Sequence, residues 1–254
     1  MTQLLISVRS ALEAEVAVQN GADVVDVKEP SRGALGAADP ETICEIANCL
    51  RGRVPLSIAL GELNHGEVLN GAMIDAIRNA QYAKFGLAGC GRDRQWIERL
   101  RSSIGLLPSG ITPVAVAYAD WVRGDAPEPR EVLAAARALG CRALLIDTYH
   151  KSSGTLIDQL GLDELGDLAR AARRARLLCA LAGSLQEKHL AKILPLLPDF
   201  VALRGAVCRQ GRTSSLDPER VSRIAAMVHS AEQSRRACCS ADVEYRGQGA
   251  QRPS

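Results

Sequence analysis

Short uninterrupted apolar runs alternate along this chain with longer stretches whose apolar positions recur at helical spacing. Gln3-Leu-Leu-Ile-Ser-Val8 reads as a first strand, and Ser10 caps a helix running through Glu13 and Val16 to the stop at Asn20-Gly21. Asp23-Val-Val-Asp-Val-Lys-Glu-Pro30 is a second strand, rich in β-branched valine and halted by proline. The loop Ser31–Ala37 leads to a helix with Pro40 in its first turn. Pro55–Leu60 gives a third strand ending in Gly61-Glu62, and a helix is expected from Val68 to Ala80. Tyr82–Leu87 is a fourth strand, followed by a helix from Arg92 to Leu107.

The second half repeats the pattern. Pro113–Tyr118 is a strand closing on Asp120, and an alanine-rich helix runs from Glu128 to Leu139. Arg142–Asp147 precedes Thr148 and Lys151, with a helix from Leu162 to Ala175. Leu177–Leu181 ends in Ala182-Gly183-Ser184 before a helix from Glu187 to Leu194. Phe200–Leu203 ends in Arg204-Gly205, and a last helix follows Asp217-Pro218 to about Glu232.

Eight strand-then-helix units whose strands are apolar without polar alternation are what a parallel sheet covered on both faces requires. A doubly wound sheet would usually carry a glycine-rich dinucleotide turn after its first strand, and none is present. The expected fold is therefore a single-domain (β/α)8 TIM barrel over residues 1–233, with an aperiodic, disordered tail over 234–254.

Composition narrows the function classes. A net charge of +2 and 3% aromatic residues give neither the basic face nor the stacking surface that nucleic acid needs. No apolar run is long enough for a membrane span and no basic leader precedes the first strand, so a cytoplasmic protein is expected, away from the membrane. Eight cysteines without a CxxC pair read as reduced thiols, and four histidines without metal-ligand spacing give no metal site. A homo-oligomer is expected.

Of 31 basic residues only five are lysines: Lys28, Lys84, Lys151, Lys188 and Lys192. Where arginine serves for plain charge, a surviving lysine is a candidate for chemistry that needs a neutral amine, which a guanidinium cannot supply. In a barrel, the carboxyl ends of the strands converge on one mouth. Those ends carry Asp26 and Lys28, Glu62, Lys84, Asp120, Asp147, Ser184 and Arg204, with Lys151 just beyond the sixth strand. Neighbouring ammonium groups and burial depress an amine's pKa, and a neutral amine adds to an aldehyde or ketone to form an imine. Lys28 and Lys84 are the catalytic candidates, with structural ion pairing as the competing reading; Asp26, Asp147 and Lys151 stand beside them. The turns after the seventh and eighth strands, with Gly183, Ser184, Arg204 and Gly205, lie where barrels commonly bind phosphate. Arg204 could add a bidentate contact to such an anion, and Asp120 is assigned to the substrate as well. The combined expectation is an imine-forming enzyme acting on a phosphorylated carbonyl compound.

At these residues the chain resembles a known family, the (5-formylfuran-3-yl)methyl phosphate synthases. The resemblance is carried by Asp23–Ala37, Tyr82–Leu87, Ala117–Asp120, Leu145–Thr148 with Lys151, Leu181–Leu185 and Val201–Ala206, in order, over residues 1 to about 230. The segment Glu62–Gly66 matches least well and nothing is transferred there. The resemblance implies a carbon–oxygen lyase of methanofuran biosynthesis and one-carbon metabolism that uses no cofactor. It would condense two molecules of glyceraldehyde 3-phosphate into a furan aldehyde phosphate with loss of phosphate and water. It also implies that Lys28 forms the Schiff base and Lys84 transfers protons, assisted by Asp26, Asp147 and Lys151. A class I aldolase-type enzyme, a phosphosugar isomerase and a non-catalytic binding barrel remain as competing readings.

Overall fold

The strands are short and each is followed by a covering helix, so every one can hydrogen-bond a parallel neighbour on both sides only if the sheet closes. A computed structural model, which describes residues 1–66 and 69–231, closes it. The parallel strands are β1 (Gln3–Val8), β2 (Val24–Val27), β3 (Leu56–Glu62), β4 (Tyr82–Gly86), β5 (Thr112–Tyr118), β6 (Ala143–Asp147), β7 (Leu178–Leu181) and β8 (Phe200–Leu203). They pair in sequence order, and β8 returns to β1 through Gln3 opposite Phe200 and Ile6 opposite Leu203. Helices α1 (Ala11–Gln19), α2 (Pro40–Leu50), α3 (Gly71–Ala76), α4 (Trp96–Gly105), α5 (Pro129–Ala138), α6 (Leu156–Arg174), α7 (Leu190–Ile193) and α8 (218–231) follow their strands. The barrel expected from the apolar pattern is the fold. None of the helices among the described residues is long and apolar enough to cross a membrane. The tail expected to be disordered, 234–254, lies outside the described residues.

Strand periodicity of two divides the core. Ile6, Val25, Ile58, Ala83, Leu144 and Val201 point outward and pack with the helices. Alternate residues Val24, Ala59, Val116, Leu145, Ala180 and Phe200 fill the barrel interior. Two of these six are alanines, and two are valines. An interior lined with small side chains leaves room at the upper end for longer, polar ones.

Helix boundaries differ most from the sequence pattern in three places, each for a local reason. The helix expected over 68–80 is confined to Gly71–Ala76, because the Asn70 side chain accepts from the Met73 N–H and starts it late; Val68 is outside the described residues. The helix expected from Arg92 begins at Trp96, because the Asp93 carboxylate accepts from the Gln95 N–H and holds the preceding residues in a turn. The sixth begins at Leu156, not Leu162: Thr155 and Asp158 form a capping box, and Gly161 at φ 70° interrupts the helix before its main body.

Candidate active site

Two interior layers set the site. Ser7 on β1 pairs in register with Asp26 on β2, and Asp26 with Ser57 on β3. Because these neighbours share a face, their side chains meet inside the barrel. Ser7 Oγ donates to Asp26 Oδ2 at 3.0 Å. Lys84, in the middle of β4, forms a short charged contact with Asp26 Oδ1 and donates to Ser57 Oγ at 2.8 Å. The pair is almost fully buried, where an ion pair holds only if its remaining groups are also hydrogen-bonded. Both serines supply that.

A second pair sits above. Asp147, the last residue of β6, accepts from Lys151 Nζ at 2.5 Å and from the Thr148 N–H at 2.7 Å. Burial alone would raise the Asp147 carboxyl, but the Lys151 and Lys28 ammoniums and these hydrogen bonds outweigh it and hold it below the usual carboxylate range. Burial pulls Lys151 below the ordinary amine range despite the attraction of Asp147.

Lys28 follows β2 immediately and lies between the two pairs. Its side chain is buried but its Nζ has neither a hydrogen bond nor an ion pair among the described residues. Burial pushes its pKa down to about 8; Lys151 and Lys84 add to the fall, against Asp147 and Asp26. The neighbouring carboxylates are each taken by another lysine, so Lys28 is left without an ion-pair partner of its own. All five groups line one cavity of about 270 Å³ at the mouth. Asp26, Lys28, Lys84, Asp147 and Lys151 thus come together as the strand positions led one to expect.

The β7 and β8 turns close the same cavity. Gly183 at φ 98° and Ser184 at φ 50° both take the left-handed region, and Ser184 Oγ donates to the Lys151 carbonyl at 3.0 Å, tying this turn to the β6 loop. A Cβ on Gly183 would lie 3.0 Å from Thr148 Cγ2 and 3.1 Å from its N. Glycine there lets the two loops touch. Gly183, Ser184, Arg204 and Gly205 all line the cavity.

Two assignments need correction. Arg204 does not offer its fork to an anion, because Glu13 on α1 has taken it: Nη1 lies 2.8 Å from Oε2 and Nη2 3.3 Å from Oε1. Its remaining donors reach the carbonyls of Ser7, Arg212 and Ser214. Asp120 does not reach the cavity. Its carboxylate accepts from the backbone N–H groups of Tyr149 at 2.6 Å and His150 at 2.8 Å and contacts the His150 ring at 3.1 Å, so it anchors the loop that carries Lys151. Both are strand-end residues whose partners come from distant parts of the chain. Strand position places a residue near the mouth, but the available partner decides whether the substrate meets it.

A strand-end reading locates Glu62 without foreseeing its partners, and it misses Arg212 altogether. Glu62 is buried and accepts from Tyr118 Oη at 2.6 Å and from the Ala88 N–H at 2.9 Å. Burial raises its carboxyl above the usual range, opposed by those two hydrogen bonds. Arg212, nine residues beyond β8's last one, projects into the Lys28 cavity. Nothing in its irregular segment, Arg209-Gln-Gly-Arg-Thr-Ser214, distinguishes it from the chain's many other arginines.

The residues around the cavity can hold a neutral amine, two carboxylates and two paired ammoniums within one small space. That set suits imine formation followed by proton transfers on a small carbonyl compound.

Known proteins support the same fold and identify the family. Phosphoribosylanthranilate isomerase of Thermotoga maritima superposes with a TM-score of 0.64, covering 91% of this chain and all of that one at 15% identity. Thiamine phosphate pyrophosphorylase of Pyrococcus furiosus superposes at 0.59 with 12% identity over 91% of this chain and 96% of that one. At such identities they share the barrel only. Proteins named (5-formylfuran-3-yl)methyl phosphate synthase are far closer in sequence. That of Methanothermobacter thermautotrophicus is 34% identical over 82% of this chain and 90% of its own. That of Methanocaldococcus jannaschii is 33% identical over 82% and 91%. A family model described as 4-HFC-P synthase matches residues 4–225, nearly the whole barrel, and on that evidence the chain belongs to the 4-HFC-P synthase family.

Proposed function

We propose that this chain condenses two molecules of glyceraldehyde 3-phosphate into (5-formylfuran-3-yl)methyl phosphate through a Schiff base on Lys28, a carbon–oxygen lyase step of methanofuran biosynthesis. The observation that carries the proposal is the unpaired Lys28 amine, with its pKa lowered to about 8, flanked by two lysine–aspartate pairs. The name shared by the relatives, each around a third identical, supports the product.

The neutral Lys28 amine adds to the aldehyde carbon of one triose phosphate, and loss of water gives the iminium. The iminium acidifies the adjacent carbon, whose proton passes to Asp147 or, by way of Asp26, to the Lys84 pair. The resulting enamine expels the phosphate from the third carbon, with the electron pair leaving on the phosphate oxygen. A second triose phosphate, carried by a proton shift to its 2-keto isomer, is attacked at its C2 carbonyl by the third carbon of the fragment. Its C1 hydroxyl then closes the ring on the fragment's own carbonyl carbon, which sets the phosphomethyl group at furan position 3. Ring closure and dehydration release the amine and give the furan. Two triose phosphates thus yield one furan phosphate, one phosphate and two waters. Aromatic stabilisation drives the final dehydrations.

Purified protein incubated with glyceraldehyde 3-phosphate alone should develop a furan chromophore and release one phosphate per furan. Borohydride added during turnover should reduce the iminium and leave a mass-shifted peptide containing Lys28. Aldol products without phosphate release would instead indicate an aldolase. A trapped peptide lacking Lys28 would move the nucleophile elsewhere.

A further inference from the structure

The cations around the cavity do not share one fate. Lys84 is paired with Asp26, Lys151 with Asp147, and Arg204 with Glu13. Two remain without a carboxylate: Lys28, the proposed nucleophile, and Arg212. The guanidinium of Arg212 is half-buried, forms no ion pair among the described residues, and spends one Nη2 hydrogen on the Gly33 carbonyl at 2.9 Å. Burial lowers its pKa, and the Asp147 charge is the strongest of those acting against that fall. A partly desolvated guanidinium with unused donors is costly unless an anion completes it.

The loop that carries Arg212 is held with unusual thoroughness. Three successive carbonyls, those of Arg212, Thr213 and Ser214, are gripped by side chains from elsewhere: Arg204 takes the first and third, and Arg9 takes the second at 2.5 Å. Arg204 is itself fixed by Glu13, and Arg9 by Glu29 at 3.1 Å. Two buried or half-buried ion pairs thus fix the backbone from which one free guanidinium reaches over the cavity. Ser184 and Leu185 of the β7 turn line the same cavity, and their N–H groups donate to no protein acceptor among the described residues.

We infer that Arg212 is the residue that binds the substrate's phosphate: a phosphomonoester seat bounded by Arg212 and the N–H groups of the β7 turn, with Arg204 and Glu13 as positioning residues. The inference rests on the function proposed above only for what the phosphate is attached to. It assigns to Arg212 the anion contact that the sequence suggested for Arg204. The planar fork of a guanidinium matches two phosphate oxygens at once, and after Lys28 becomes an imine it is the cation still without a carboxylate.

The test uses inorganic phosphate as probe, measured by calorimetry on the wild type, Arg212→Gln, Arg212→Lys and the control Arg92→Gln, whose arginine is fully on the surface. Phosphate affinity should fall about tenfold or more in Arg212→Gln, fall less in Arg212→Lys, and stay unchanged in Arg92→Gln. Borohydride trapping of unphosphorylated glyceraldehyde on Lys28 should be the same in Arg212→Gln as in the wild type, whereas trapping of glyceraldehyde 3-phosphate at low concentration should drop. Phosphate affinity within twofold of wild type in Arg212→Gln, or no phosphate binding by the wild type, overturns the inference. Trapping of neither aldehyde on Lys28, with phosphate affinity still dependent on Arg212, would sink the Schiff-base reading and leave the phosphate seat standing.

Discussion

Glu62 and Lys28 are both ionisable, both buried, and both at the carboxyl end of neighbouring strands, yet they stand in opposite conditions. Glu62 has each oxygen occupied, one by Tyr118 and one by the Ala88 N–H, and neither it nor Tyr118 lines the Lys28 cavity. On the Gly86 side the packing is tight: a Cβ there would lie 2.0 Å from Glu62 Oε2, so glycine at this position admits the carboxyl. Lys28 faces a cavity and has no partner, while every carboxylate near it is held by another amine. Burial shifts both groups toward their neutral forms. Burial with a full set of hydrogen bonds makes a structural element, and burial without one makes a reactive group.

The sharpest way to break this comparison is to remove the open group. Lys28→Ala should abolish furan formation, a loss of about 10³-fold or more in kcat, while the melting temperature stays within a few degrees because no hydrogen bond or ion pair is lost. Turnover retained within tenfold would place the nucleophile elsewhere. A large fall in melting temperature would show that Lys28 is structural after all.

The closed groups should answer in the other currency. Arg204→Ala strands the Glu13 carboxylate in a buried site and should cost about 3–5 kcal/mol, measured by denaturant unfolding. Stability unchanged would mean that the pair is not the fixture its geometry suggests. Gly86→Ala should cost about 1–3 kcal/mol by driving the new methyl into Glu62. Combining it with Glu62→Ala should recover part of that loss, since the clash then disappears; a fully additive loss would refute the contact.

The smallest effect tests the electrostatics of Lys28 itself. The reactive form is the neutral amine, so borohydride trapping should rise about tenfold per pH unit below about pH 8 and level off above it. Asp147 favours the ammonium form of Lys28, so Asp147→Asn should move that midpoint to lower pH, and the Lys151 charge left unpaired acts in the same direction. A midpoint that stays or rises would show that Asp147 does not set the Lys28 amine.

The lysines of the cavity were legible in the chain because two independent features coincide there. Lys28, Lys84 and Lys151 are three of only five lysines; Lys28 and Lys151 follow the ends of β2 and β6, Lys84 sits in the middle of β4 rather than at its end, and the barrel brings all three to one cavity. Arg204 and Asp120 satisfied the same positional rule but are taken by protein partners, Glu13 and the Tyr149–His150 backbone, which come from other parts of the chain. Arg212 gave no signal, lying in an irregular segment among many arginines.

The sequence by itself determined the eight units, their order and the side of the barrel to which each strand end belongs. Those follow from local causes: period-two burial, β-branched runs, caps and proline stops act within a few residues of one another. Which buried charges are closed and which stay open was decided only by the tertiary structure. Partner choice depends on distances between residues as far apart as Lys84 and Asp26 or Arg204 and Glu13, and those distances exist only once the barrel has closed. Lys28 is left unpaired because, after Asp26 and Asp147 have taken their partners, no carboxylate remains for it.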